Sequence, residues 1–192
     1  MTTVLLFHSV LGIRQGERDA AARLRAAGHD VVLPDLLDGK VFDAYDPAMA
    51  HADELGEALY EKGVAAAAGL PDGFIVAGFS LGSGVATRVA TVRSVSGVLQ
   101  FSGVNIVEWF GPEATWPAGV DSQSHQMLDD PFRDPVEQRA LADVSAAGGT
   151  LEIFDYPGSG HLFTDPTLPD EYAAEATELM WSRVLPFVSA RG

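Results

Sequence analysis

Along the whole chain, short uninterrupted apolar runs alternate with longer segments whose apolar residues return at helical spacing. The runs predict strands at residues 3–8, 30–33, 74–79, 95–101 and 151–156, with a weaker, unusually polar candidate at 120–127. Runs such as Val4-Leu5-Leu6-Phe7 and Val31-Val32-Leu33 carry no polar face, the mark of parallel strands covered on both sides. Between them the helical period predicts helices at 16–27, 47–67, 82–92, 135–147 and 170–188. In the first, Ala20, Leu24 and Ala27 share a face, and Gly28 stands where a helix stops. Asp46-Pro47 reads as the cap and first position of the second. In the last, Tyr172, Ala176, Leu179, Met180, Leu185 and Val188 turn inward while Glu171, Glu175 and Glu178 face water. Strand–helix alternation without repeats or a long linker predicts one compact α/β domain over residues 1–192. Its sheet is expected to be doubly wound and mostly parallel, with helices on both faces.

Composition narrows what such a domain does. A formal net charge of −15 argues against tracking nucleic-acid phosphates or docking on anionic lipid, so neither nucleic acid nor membrane is an expected partner. With no cysteine, disulfides, thiolate catalysis and cysteine-ligated metals are excluded. The opening Met1-Thr2-Thr3 leads directly into Val4 without a basic or cleavage-type region, so no signal peptide is expected and a cytoplasmic location fits. His8, His29, His51 and His125 show no compact metal-ligand spacing, and the glycines show no phosphate-loop lysine. Neither a metal nor a cofactor is expected.

Candidate chemistry collects after the strands. Gly78-Phe79-Ser80-Leu81-Gly82 reads G-x-S-x-G between the run at 74–77 and a helical segment. A serine on so abrupt a turn is strained and exposed, and the Leu81 amide opens the helix beside it, as in the nucleophile elbow of α/β-hydrolases. The same residues also suit a plain turn that packs a helix closely on a sheet. In a doubly wound sheet, ligands bind beyond the carboxyl ends of the strands. His161 follows the run at 151–156, and Asp130 follows the polar candidate, with Asp129, Asp134 and Asp121 as rivals. The order Ser80, Asp130, His161 is that of an α/β-hydrolase triad, with serine as nucleophile, imidazole as base and carboxylate as orienting acid. Of the two amides that would hold an oxyanion, Leu81 is one; Val10, in Ser9-Val10-Leu11-Gly12 after the first run, is the candidate for the other. The aromatic segment containing Trp109, Phe110 and Trp116 reads either as core or as an apolar wall beside the serine. His8 reads as a strand-end packing or hydrogen-bonding residue near the oxyanion loop, and His125 as a strand residue supporting the acid loop.

The chain resembles the dienelactone hydrolase family. The resemblance rests on Phe7-His8-Ser9-Val10-Leu11-Gly12, Arg23 to His29 running into Val32-Leu33-Pro34-Asp35-Leu36, Gly78 to Gly82, Asp130-Pro131-Phe132, and Gly158 to Phe163, in order along nearly the full length. It implies an α/β-hydrolase fold without a large cap domain, with Ser80, Asp130 and His161 as catalytic triad and Val10 and Leu81 at the oxyanion hole. It further implies hydrolysis of a small ester or lactone through an acyl-enzyme. Three positions depart from the family's best-known members: Ser80 replaces a nucleophilic cysteine, Ser9 an acidic residue, and Asp165 a substrate-gripping arginine. The hydrolase chemistry is therefore implied more strongly than the dienelactone substrate. A carboxylate facing Asp165 would be repelled. Acyl transfer with the same residues, or a non-catalytic small-molecule-binding or interaction role on the same scaffold, stays open, as does oligomeric state.

Overall fold

A computed structural model describes residues 1–191. Six parallel strands form one sheet: β1 (Thr3–Phe7), β2 (Asp30–Val32), β3 (Phe74–Phe79), β4 (Val95–Phe101), β5 (Ser122–Met127) and β6 (Leu151–Tyr156). Their order across the sheet is β2-β1-β3-β4-β5-β6. Helices α1 (Gln15–Ala26), α2 (Tyr45–Leu55), α3 (Glu57–Ala67), α4 (Leu81–Val92), α5 (Glu137–Ala146) and α6 (Ala174–Ser189) connect them, with a short 3-10 turn at Val107–Phe110. Among the described residues no helix is long and apolar enough to cross a membrane.

Strand periodicity divides the core into two layers. Val4, Leu6, Ile75, Ala77, Leu99 and Phe101 point to one face and pack against Leu24 of α1 and Met180, Trp181 and Val184 of α6. Leu5, Phe7, Phe74, Val76 and Val98 point to the other and meet Leu59 of α3, Val85 and Val89 of α4 and Val144 of α5. At roughly 1.5–3 kcal/mol for each large apolar side chain fully buried, these layers dominate the favourable side of folding. α1 ends as its sequence suggests: Gly28 takes φ 90°, its amide meets the Arg25 carbonyl, and the His29 amide meets that of Leu24.

Local chemistry moves three helix boundaries. The expected helix at 47–67 is two helices, because Gly56 leaves helical backbone at φ 49°. α2 also starts at Tyr45, which puts Pro47 inside the first turn, where its missing N–H has no partner to lose. The final helix starts at Ala174, so Tyr172 lies outside it and is exposed.

β5 is all buried although it reads Ser-Gln-Ser-His-Gln-Met. Its polar groups are paired instead of solvated: Ser122 Oγ accepts from Gln100, Ser124 Oγ donates to the Gly103 carbonyl, and Gln123 donates to Glu152. His125 stacks on Phe154 with ring centroids 5.0 Å apart, and its Nδ1 lies 2.8 Å from the Tyr156 hydroxyl. Burial, reinforced by the nearby Arg183 charge, pushes the His125 pKa down to about 3.

That depression sets an acid sensitivity. Between the unfolded value of ~6.5 and the folded value, only the unfolded chain takes up this proton, so stability falls as pH falls, at ~1.4 kcal/mol per unit. Denaturant unfolding at pH 7 and pH 5 is expected to show this loss, and His125→Gln to reduce the difference between the two pH values whatever its effect at pH 7. An undiminished difference in the variant would assign the acid sensitivity to other groups.

Candidate active site

The β3–α4 turn holds Ser80 in an unusual backbone state, φ 50° and ψ −115°, a conformation that costs of order 1–3 kcal/mol for a residue with a side chain. The flanking glycines are required by contact. A Cβ on Gly78 would lie 2.0 Å from the Gly82 carbonyl oxygen, and one on Gly82 would lie 2.4 Å from that of His8. The turn is thus pressed directly onto the end of β1. The Ser80 amide donates to Phe101 at 2.8 Å, and its carbonyl accepts from the Ser83 amide and hydroxyl at 2.8 and 2.6 Å. Asn105 Nδ2 in turn donates to Ser83 Oγ and to Gln100 Oε1, at 2.8 and 3.0 Å. This buried polar chain under the elbow was not visible in the sequence, where Asn105 and Gln100 stand in no motif.

The loop after β1 is fixed just as closely. His8 is fully buried; its Nε2 accepts from the Leu36 amide at 2.9 Å, which leaves Nδ1 as the donor to the Ser9 carbonyl at 2.7 Å. The Gly12 amide donates to the same carbonyl at 3.0 Å. Carbonyl and amide point opposite ways across a trans peptide, so tying down the Ser9 oxygen turns the Val10 N–H away from His8. Burial holds the His8 imidazole below its ordinary pKa, so it stays neutral and keeps both roles. Of its two expected roles His8 thus takes the hydrogen-bonding one, and through it positions the loop.

Ser80, His161 and Asp130 meet beyond the carboxyl ends of β3, β6 and β5. Ser80 Oγ lies 2.7 Å from His161 Nε2, and His161 Nδ1 lies 2.7 Å from Asp130 Oδ2. A carboxylate oxygen only accepts, so Nδ1 carries the hydrogen and Nε2 is left to accept from the serine. Asp130 Oδ1 accepts from the Phe132 amide at 2.8 Å, which fixes the carboxylate plane. Asp130 is buried, while Asp129 is exposed and Asp121 pairs with Arg191. Phe132 and Tyr45 wall the imidazole at centroid distances of 4.7 and 5.8 Å. The Tyr45 hydroxyl donates to Glu171, which also accepts from the Leu162 amide, so Glu171 braces the His161 loop and is no solvated face.

A cavity of about 340 Å³ opens over these groups, bounded by Val10, Tyr45, Met49, Ser80, Phe132 and His161. The aromatic segment splits between its two expected roles. Trp109 is exposed and lines the cavity, whereas Trp116 is core, its indole N–H donating to the Val120 carbonyl at 2.7 Å. No group of histidine and acidic residues arranged to hold a metal ion occurs among the described residues.

The model of the dienelactone hydrolase family matches residues 1–191. The chain belongs to that family. It is 28% identical over 207 residues to a carboxymethylenebutenolidase of Rhodococcus opacus, covering 96% of this chain and 79% of the relative. Among solved structures it is similar to a dienelactone hydrolase-like promiscuous phosphotriesterase from metagenomic libraries, with TM-score 0.81, 17% identity, and 99% and 86% of the two chains covered. A structure from work on two metagenome-derived lipolytic enzymes, LipS and LipT, aligns with TM-score 0.65 and 17% identity over 98% of this chain and 94% of that one. The chain is accordingly a dienelactone hydrolase-like hydrolase.

Of its departures from the family pattern, Asp165 takes a role the sequence did not suggest. It is buried, and Arg14 Nε meets its Oδ2 at 3.0 Å, so it does not present a free charge to a substrate. The same guanidinium reaches the Phe42 carbonyl and Asp43 at 2.8 and 2.9 Å and Thr167 Oγ1 at 3.0 Å. Glu17, also buried, accepts from the Ser9 amide at 3.1 Å, so an acidic group still reaches that loop from α1.

Two substitutions test this construction. Gly82→Ala is expected to cost at least about 2 kcal/mol in denaturant unfolding, since backbone must move to admit the methyl group; a neutral effect would refute the close approach. Asp165→Asn leaves Arg14 its bond to Asp43 and is expected to cost roughly 1.5–3 kcal/mol, the scale of a hydrogen bond to a charged group, with faster hydrogen exchange at residues 162–172; unchanged exchange there would refute the bracing role.

Proposed function

We propose that this dienelactone hydrolase family member is a serine hydrolase that cleaves small carboxylic esters or lactones through an acyl-enzyme. The observation that carries this reading is the hydrogen-bond chain from Ser80 through His161 to Asp130, 2.7 Å at each link, on the cavity floor. In this mechanism Ser80 Oγ attacks the ester carbonyl while His161 Nε2 takes its proton. Asp130 holds the imidazole orientation and stabilises the imidazolium. The Val10 and Leu81 amides receive the oxyanion. Both residues line the cavity beside Ser80, and neither amide is engaged by another group among the described residues. His161 then gives its proton to the leaving oxygen, and water repeats the sequence to release the acid. Every step uses side chains and amides of this one chain, which we propose works as a single domain.

A fluorophosphonate probe tests the reading by intact mass. One adduct is expected on the wild type at Ser80 and none on Ser80→Ala. With 4-nitrophenyl esters, Ser80→Ala is expected to lower kcat by a factor on the order of 10⁴–10⁶. Thiol alkylators are expected to leave turnover intact. Wild-type activity in Ser80→Ala would remove Ser80 from the mechanism.

A further inference from the structure

The cleft has a second lobe. On the side of Ser80 away from His161 it continues into a space of about 590 Å³ bounded by Tyr60, Gly84, Arg88, Phe110 and Gly111. Ser80, Leu81, Asn105 and Trp109 line both lobes, so the two meet at the serine. Leu81, Gly84 and Arg88 stand at i, i+3 and i+7 of α4, one face of the helix whose start carries the elbow.

Arg88 is the anomalous group there. It is half-buried, and among the described residues its guanidinium has no carboxylate, carbonyl or aromatic partner. Carboxylates exceed basic residues 27 to 12 in this chain, and Arg14, Arg23, Arg93, Arg133, Arg139 and Arg191 each meet one. Arg183 lies over Phe154, Arg25 donates to the Val31 carbonyl, and Arg18, which like Arg88 meets none of these, is exposed to water on α1. A guanidinium on a cavity wall with no protein acceptor keeps its fork of N–H donors available to an anion from outside. Tyr60 adds a second donor: burial, then the Glu57 charge, pushes its phenol up, so its O–H keeps its hydrogen. Glu57 bounds the lobe as well but is exposed, where water screens it.

The lobes also sort the two halves of an ester. His161 must hand a proton to the leaving oxygen, so the alcohol half belongs in the lobe His161 lines. The acyl half is left to the lobe of Arg88. We propose that Arg88 determines specificity by pairing with a carboxylate at the far end of the acyl group, so that favoured substrates are monoesters of short dicarboxylic acids. This assignment rests on the serine-hydrolase reading above and deepens it. The reaction is the monoester anion plus water giving the alcohol, the dicarboxylate and a proton; the acyl–oxygen bond breaks and the water oxygen remains on the acid. Arg88 begins ~12 Å along the helix from Ser80, and long helical side chains lean back toward the N-terminus. That geometry suits a spacer on the order of three to five carbons between the carboxyl groups.

The test compares mono-4-nitrophenyl glutarate and adipate with the same esters carrying a terminal amide, which match them in size without the charge. The wild type is expected to favour the carboxylate in kcat/KM by about 10- to 100-fold, the usual scale of a charge-assisted contact. In Arg88→Met that ratio is expected to fall toward one, and in Arg88→Lys to lie between. Because the ratio is internal to each protein, a loss of folded enzyme does not imitate the result. Fluorophosphonate labelling of Ser80 with no carboxylate preference, or with a preference that survives Arg88→Met, overturns the Arg88 assignment and leaves the hydrolase reading standing. Absence of labelling together with absence of turnover overturns both.

Discussion

Everything at this site depends on how closely one turn of backbone approaches the end of one strand. Gly82 sits against the carbonyls of Phe7 and His8, and Gly78 against Gly82 itself, with no room for a methyl group at either contact. That approach sets where α4 starts and so where the Leu81 amide lies. It also brings the β1 loop, with Val10, next to the serine that α4 carries. The strain at Ser80 is tolerable only because its amide and carbonyl are both satisfied, by Phe101 and Ser83. Geometry that would be a local defect elsewhere is here over-determined from two sides.

The support is largely polar, which is unusual for the centre of a parallel sheet. Gln100, Ser122, Ser124, His125 and Asn105 are all buried, yet each finds a hydrogen-bond partner. Hydrogen bonds are directional where apolar contacts are not, so this inner layer fixes the angles of the loops that leave β4 and β5. The outer layers of Leu, Val and Phe supply the bulk of the stability. Affinity for the folded state and precision at the site thus come from different parts of the same sheet.

Legibility followed the same division. The apolar strands were readable because a strand covered on both faces needs an unbroken apolar run, and the elbow because glycines at fixed offsets have a steric cause. The order of Ser80, Asp130 and His161 followed from chain topology. β5 was faint because its burial is compensated by partners distant in sequence, which no local pattern records. Glu171 and Asp165 were misjudged for a related reason. A carboxylate on a polar-looking segment reads as solvated until its partner, Tyr45 in one case and Arg14 in the other, arrives from more than a hundred residues away. Helix ends at Gly56 and Ala174 escaped notice because the apolar period runs on through both breaks.

The Arg14 guanidinium carries an implication for motion. It joins the start of α1, the segment before α2 at Phe42 and Asp43, and the loop beyond His161 at Asp165 and Thr167. A hinge in any one of these would have to break contacts to the others, so the imidazole and the Tyr45 wall form a single stiff jaw. The opposite jaw, the short 3-10 turn bearing exposed Trp109, is tied to α5 by the Glu108–Arg139 pair, exposed to water on both sides, and by the Val107 amide on Asp143 at 3.4 Å. The two walls of the cleft are thus fastened by different means: a buried guanidinium shared among three segments on the tyrosine side, and an exposed pair that salt screens on the tryptophan side.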